Sequence, residues 1–452
     1  MRDDSDQLLS LGRQIVRRAM EGADVAEVTL GQSWDLSVRV RLGKPELVEE
    51  AGQRGASLRV LRDGRVAVTS TSDLSEAGIA VLVRDALELS ELSEPDSAAG
   101  PAPAELLSKP PYPDLDLLDE QVANIDAAQA LDLATRAEAV ALAYDPRITL
   151  SEGGSFGRSS ATRALVFSSG FEGTSSGSYA SLSVVPVATD TGGKNRRGYY
   201  WTGKRHFSDL EEVQFVGEEA ARRTLRKLGA RKVDTTEASV IFDPDSARSI
   251  LGSFAGTILG GSLFRKVSYL LGRIGTPVAS PLVTIVDDPL IPRGPGSRAF
   301  DGEGLLSRKN VVVDSGELKQ YLLDCYSARK LALTSTASAS RSGGSISAST
   351  SNFIMLPGTS TPESIIAETE RGLLVTEMMG FGFNASTGDF SRGAGGFWIE
   401  NGKIQFPVSE VTISSNLNTM LLGIDRVGSD LDLKSSTAAP TFRVRSMTIS
   451  GN

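Results

Sequence analysis

The chain has one cysteine and one histidine in 452 residues. A single thiol, Cys325, excludes an internal disulfide framework and fits a reducing compartment. The single imidazole, His206, excludes more, because catalytic zinc sites commonly draw on two or three His or Cys ligands. Even together, these two residues could supply only two, so a conventional zinc site built from this chain alone is not expected. Aromatics are sparse at 6%, and no stretch approaches the roughly 18 uninterrupted apolar residues of a membrane-spanning helix. Basic charge is not in excess either. A net charge of −9 leaves no overall field to hold nucleic acid or anionic lipid. The opening MRDDSDQLLSLGRQ is acidic and lacks the basic and apolar regions of a secretory signal, so a cytoplasmic location is expected.

What is present is an ordinary globular composition, 40% hydrophobic and 23% charged, on a chain too long for one core. Residues 7–21 show helical periodicity. The stretches DVAEVTLGQ, WDLSVRVRLG, PELVEEAG, GASLRVLRDG and RVAVTSTS alternate as strands separated by Gly, Asp or Pro, which predicts an antiparallel meander. A helix over 75–93 leads into a Pro/Ala-rich connection near 94–116 that should wrap the surface. After a helix over 125–143, RITLSEGGSFGRSSATRALVFSSGFEGTSSGSYASLSVVPVA reads as three Ser/Gly-rich strands of the kind that face a solvent-filled groove. SDLEEVQFVGEEAARRTLRKLGARKV is a helix with Ser208 at its cap and Gly229 near its stop. A boundary near 235 divides the chain into residues 1–235 and 236–452. In the second part Asp245 is expected to begin a helix, with further helices over 361–372 and 416–422 among short strands. Asn401 and Gly402 form a type I′ hairpin turn. The fold class is α+β in two domains: N-terminal helices with an antiparallel sheet, then a β-rich domain with a central helix.

That central helix contains RSILGSFAGTILGGSLF. Ile250, Leu251, Phe254, Ala255, Ile258 and Leu259 form one apolar stripe. The opposite face, Ser249, Gly252, Ser253, Gly256, Thr257 and Gly260, carries almost no side chain. Glycine in a helix interior costs about 0.5–1 kcal/mol against alanine, so the bare face needs a reason.

Candidate chemistry is thin. Ser327 and Lys330 fit the S-x-x-K spacing in which a lysine one turn on deprotonates a serine, but the companion elements of that chemistry are out of order, and a plain helix turn is the simpler reading. Asp287, Asp288, Asp301 and Glu303 could hold a hard cation, yet their Pro/Gly-rich surroundings favour turn capping. NRRGYYWTGKR is a local basic and aromatic strip, and His206 has no acidic neighbour in sequence. GFGFNASTGDFSRGAGGFWIENGK satisfies no phosphate-loop pattern and reads as a loop lining a groove.

Three long stretches, FDGEGLLSRKNVVVDSGELKQYLLDCYSARKLAL, GLLVTEMMGFGFNASTGDFSRGAGGFWIENGKIQFPVSEVTISSNL and TFRVRSMTISG, closely resemble the TldE (PmbA) branch of the TldD/PmbA proteins. The resemblance implies a two-domain subunit that pairs with a TldD-like partner as a heterodimeric zinc metallopeptidase acting on peptides or unfolded polypeptides. In the TldD branch a helix carries H-E-x-x-x-H. Aligned on Arg265 and Lys266, its His, Glu and His positions fall here on Gly252, Ser253 and Thr257, so the resemblance implies no catalytic residue and no cofactor in this chain, with zinc held by the partner. Asn384, Asp389, Ser391 and Arg392 are the candidate groove or interface residues. The rival readings are a stand-alone homodimeric scaffold and a hydrolase using Ser327 and Lys330.

Overall fold

A computed structural model describes residues 2–451. The first part is built on a seven-stranded antiparallel sheet. Helix α1 (Arg2–Ala19) precedes β1 (Val25–Arg41), β2 (Lys44–Arg62) and β3 (Arg65–Thr71), followed by α2 (Glu76–Leu92), the short α3 (Glu120–Ala123) and α4 (Ala127–Ala143). Strands β4 (Ile148–Phe167), β5 (Glu172–Thr189), β6 (Asn195–Arg197) and β7 (Tyr200–Lys204) complete the sheet in the order β3-β2-β1-β4-β5-β6, with β7 also on β5, and α5 (Val213–Leu225) closes this part.

The expected meander is present, but its strands are longer than the sequence punctuation suggested. Two segments predicted as separate strands on each side of the first turn run together as β1 and as β2, and the three Ser/Gly-rich strands are two. Gly43 and Gly64 adopt φ of +73° and make the real turns, whereas Gly31, Gly52 and Gly55 stay extended.

Alternation along a strand sends successive side chains to opposite faces. On β1, Val28 and Leu30 pack with α1 and α2, while Leu36, Val38 and Val40 pack with α4 and α5. These share a parity, so all four helices cover one face. The other face carries Gly157, Ser159, Ala161 and Arg163 of β4, opposite Ser181, Tyr179, Gly177 and Ser175 of β5. One face of the sheet is therefore a dry core and the other a bed of small polar residues.

The second part starts with β8 (Thr236–Phe242) and α6 (Pro244–Ile258), followed by α7 (Gly260–Phe264) and, later, α8 (Cys325–Leu331). Strand β8 lies in a six-stranded sheet with strands 371–379, 389–400, 403–416, 424–427 and 442–450, and pairing between 403–416 and 442–450 closes the path into a ring. The buried face of α6 packs into the large apolar cluster around that sheet.

Three helix boundaries differ from expectation. Asp243, not Asp245, caps α6: its side chain accepts from Ser246 N at 2.9 Å and Pro244 takes the first helical position, where its missing N–H costs nothing. Ser208 lies in a 3-10 turn before α5, which begins only at Val213; between them Glu211 is tied to strand β7, its carboxylate accepting from Tyr200 Oη (2.7 Å) and its N–H donating to Thr202 Oγ1 (3.2 Å). The helix expected over 361–372 stops at Ala367, since pairing with β8 and 389–400 claims Arg371 onward as strand. The helix near 416 is present as Leu417–Leu422 and the Asn401–Gly402 turn has both residues at positive φ.

The two parts are joined by charge as well as packing. Glu27 of β1 accepts from Arg59 Nη1 (3.0 Å) and from Arg341 Nη2 of the second part (2.5 Å), all three buried. Burial pushes the Glu27 carboxyl up, but the two guanidinium groups outweigh it and hold the group below the ordinary carboxylate range.

Candidate functional site

Helix α6 divides its small residues into two sets. At Gly252 and Gly256 an added Cβ would meet nothing within 4 Å, and both residues are exposed. Ser249 and Ser253, half-buried, complete this open strip, with Ser253 Oγ donating back to the Ser249 carbonyl (3.2 Å). The other two residues expected on the bare face are not on it. Thr257 is fully buried and donates to the Phe254 carbonyl (2.6 Å), while Gly260, past the end of α6, packs so closely on α8 that a Cβ would collide with Ser327 Oγ. Positions 252 and 257 stand about 140° apart around a helix of 3.6 residues per turn, which is why one faces solvent and the other the core.

Of the four candidate groove residues, one reaches this helix. Arg392, on strand 389–400, donates through Nη1 to Ser249 Oγ at 2.6 Å, and its Nε is buried without a hydrogen-bond partner. Asn384 closes its own turn by accepting from Ser386 N (2.9 Å), Asp389 accepts from Thr387 Oγ1 (2.6 Å), and Ser391 pairs with Ser414 across the sheet (3.1 Å). Beside Arg392 and the first turns of α6 lies a cavity of about 650 Å3. Its rim is cross-linked by ion pairs that no local motif announces: Arg223 with Asp245 (3.1 Å) and Lys227 with Glu377 (2.5 Å). Met379, the last residue of strand 371–379, is half exposed, and Phe381 in the loop that follows is fully exposed.

The remaining candidates resolve into structure. Ser327 is buried and hydrogen-bonded to Asp324, the cap of α8, while Lys330 turns outward to Asp96 (2.9 Å) and Tyr326. Hydrogen bonds from Lys330 and Tyr326 pull the Asp96 carboxyl down to about 2. Lysine and serine thus do not form a proton-transfer pair. Asp287 accepts from Ser351 N, Asp301 from the amides of Glu303, Leu305 and Ala339, and Glu303 from Cys325 N. These acids clamp loops, and burial pushes all three up, Glu303 to about 7. Burial, followed by Glu303, also pushes the Cys325 thiol up, which keeps it protonated and unreactive. His206 gains the partner its sequence neighbours did not offer: Nε2 lies 3.0 Å from the Asp116 carbonyl and 3.3 Å from its carboxylate. In the basic strip, Arg196 pairs with Asp190, Arg197 with Glu152, and Arg205 binds backbone carbonyls.

Comparison with known proteins covers nearly the whole chain. Residues 26–90 match the PmbA/TldA metallopeptidase domain 1, 120–228 its central domain and 235–451 its C-terminal domain. The metalloprotease PmbA of Escherichia coli O157:H7 is 38% identical over 429 residues, 95% of this chain and 93% of that one. A metalloprotease TldD homolog of Haemophilus influenzae is 30% identical over 264 residues, 55% of each chain. Among solved structures, a Bacteroides thetaiotaomicron protein named for a suggested role as modulator of DNA gyrase superposes with a TM-score of 0.91 at 29% identity, covering 98% of each chain. TldE from Thermococcus kodakarensis superposes with a TM-score of 0.86 at 22% identity, covering 98% of this chain and 100% of that one.

Proposed function

The chain belongs to the PmbA/TldD metallopeptidase family, and we propose that it serves there as the subunit without the metal, pairing with a TldD-like partner in the cytoplasm to cleave peptides or unfolded polypeptides. The observation that carries this reading is the state of α6. Aligned on Arg265 and Lys266 as the resemblance implies, the His, Glu and His of the TldD branch correspond to Gly252, Ser253 and Thr257 of this helix. The zinc that the family implies does not fit these residues: glycine offers no donor, a serine hydroxyl is no general base at neutral pH, and the Thr257 hydroxyl is buried against the Phe254 carbonyl. No chemical step is therefore assigned to this helix.

Its open strip suits a different task. A helix stripped to Gly252, Ser253 and Gly256 lets another backbone approach closely, and a bed of serines and glycines on β4 and β5 supports extended chains by hydrogen bonding more than by side-chain pockets. Exposed Met379 and Phe381 add apolar surface of the kind that subunit interfaces bury. In this reading the partner supplies zinc and the proton-accepting carboxylate, and this chain supplies interface and groove wall.

The test compares metal content and peptide hydrolysis of the co-expressed pair with each subunit alone. Chelator-sensitive cleavage that needs both chains is expected. Cleavage by this chain alone would overturn the proposal. So would zinc-dependent cleavage by the partner that never requires this chain, leaving a self-pairing scaffold as its role.

A further inference from the structure

The open face of the N-terminal sheet does not stay open everywhere. Residues 112–118 and the loop 297–300 lie over part of it and, with it, line a partly open cavity of about 640 Å3. Its floor is Arg163 of β4 with Ser175 and Gly177 of β5, and Arg205 and Arg298 line it as well.

The charges there do not balance. Arg298 is half-buried, its Nε is sealed without a hydrogen-bond partner, and the side chain forms no ion pair among the described residues. Asp287 and Asp301 act on it only through space, because both carboxylates are engaged by backbone amides. Arg205 donates to the carbonyls of Ser178, Gly294 and Pro295, which leaves its charge uncompensated. Arg163 is exposed and has no partner among the described residues. Of the cavity's own acids, Asp116 is held by Arg293 (2.6 Å) and His206, while Asp114 accepts from Asp116 N (3.0 Å) and keeps its charge, one carboxylate against Arg163, Arg205 and Arg298. A positive excess persists locally in a chain whose net charge is −9.

A guanidinium N–H sealed from water without an acceptor, as at Arg298 Nε, is unfavourable, and the planar fork of arginine matches a carboxylate in two-point contact. We propose that this cavity binds a carboxylate carried by an extended peptide segment, with Arg298 as the principal contact and Arg163 as the second. The inference rests on the peptide-processing reading above and adds to it a class of ligand group. The carboxylate has two sources, a peptide C-terminus or an Asp or Glu side chain.

The probes are three dye-labelled tetrapeptides titrated onto the isolated full chain and read by fluorescence anisotropy. One is Ala-Ser-Ala-Ala as the free acid, the second its C-terminal amide, and the third an amide with an internal Asp. At least one acidic peptide should bind tenfold or more tightly than the neutral amide, and which one does so identifies the source. Arg298→Gln should abolish the difference and Arg163→Gln should shrink it. If Arg298→Gln fails to fold, the exposed Arg163→Gln decides. Equal binding of all three peptides, or discrimination that survives substitution, would overturn the inference. No peptidase activity enters this measurement, so its failure leaves the subunit reading intact, and a partner that cleaves without this chain overturns the subunit reading alone.

Discussion

Gly252 and Gly256 should behave oppositely in stability and in function. Each sits in α6 with open space where a Cβ would go, so alanine meets no steric opposition and recovers the helix-interior penalty of glycine, about 0.5–1 kcal/mol per site. Gly256 lies in the last turn before Ile258, which places it at the lower end, and the double variant should gain about 1–1.5 kcal/mol. Gly260 is the internal control. There a Cβ collides with Ser327 Oγ and crowds Leu323, so Gly260→Ala should lose about 1–3 kcal/mol through overpacking. Urea unfolding of the isolated chain reads all three. The functional half uses Gly252→Trp, which on an exposed position should leave the unfolding midpoint nearly unchanged, yet should weaken pairing with a TldD-like partner and peptide hydrolysis by the pair. Loss of stability in Gly252→Ala would mean that the face is packed within the chain. Full pairing and hydrolysis by Gly252→Trp would mean that the face is spare surface, and close approach of a partner would then not explain the bare helix.

Asp243 offers a pH test of the same helix. Burial first and Asp245 second push its carboxyl up to about 6 from 3.8, against the opposing hydrogen bonds from Ser246. The folded chain therefore holds this proton more tightly than the unfolded one, so the destabilisation is absent below about pH 4, grows as pH rises to about 6 and is constant above. Asp243→Asn keeps the cap oxygen and removes the charge. It should stabilise the chain by up to about 3 kcal/mol at pH 7.5 and by little at pH 4, and a gain of equal size at both values in urea unfolding would refute the assignment. The combined change Gly252→His, Ser253→Glu and Thr257→His should not create a zinc site, because position 257 points into the core. Metal analysis after dialysis should find well under one zinc per chain, and a retained full equivalent would show that residue 257 can reach the face of residue 252.

The fold was legible where one physical rule acts locally. Alternation in VAEVTLG and LSVRVR marks the buried face of β1, and Asn401–Gly402 makes its turn because both residues tolerate positive φ. Glycine as punctuation was less reliable. Gly43 and Gly64 end strands, but Gly31, Gly52 and Gly55 continue them, and the difference lies in backbone conformation set by cross-strand pairing. The end of the helix near 367 was likewise decided by neighbours far along the chain.

At the candidate site the sequence speaks only through residue type. That Gly252, Ser253 and Thr257 cannot hold zinc follows from their chemistry, wherever they point. What they do instead depends on surroundings that local patterns do not encode. Ser249 meets Arg392 from 143 positions away, and Arg298 matters because the acids near it are already engaged. The glycines make the same point within one short stretch. Gly252 and Gly260 look equivalent in ILGSFAGTILGG, yet one has empty space beside it and the other has α8. A glycine kept against packing is explained inside the molecule, and a glycine kept against nothing has to be explained by what comes to it from outside. That asymmetry is why the tests of α6 compare Gly252 with Gly260: alanine at the first meets open space and at the second meets Ser327.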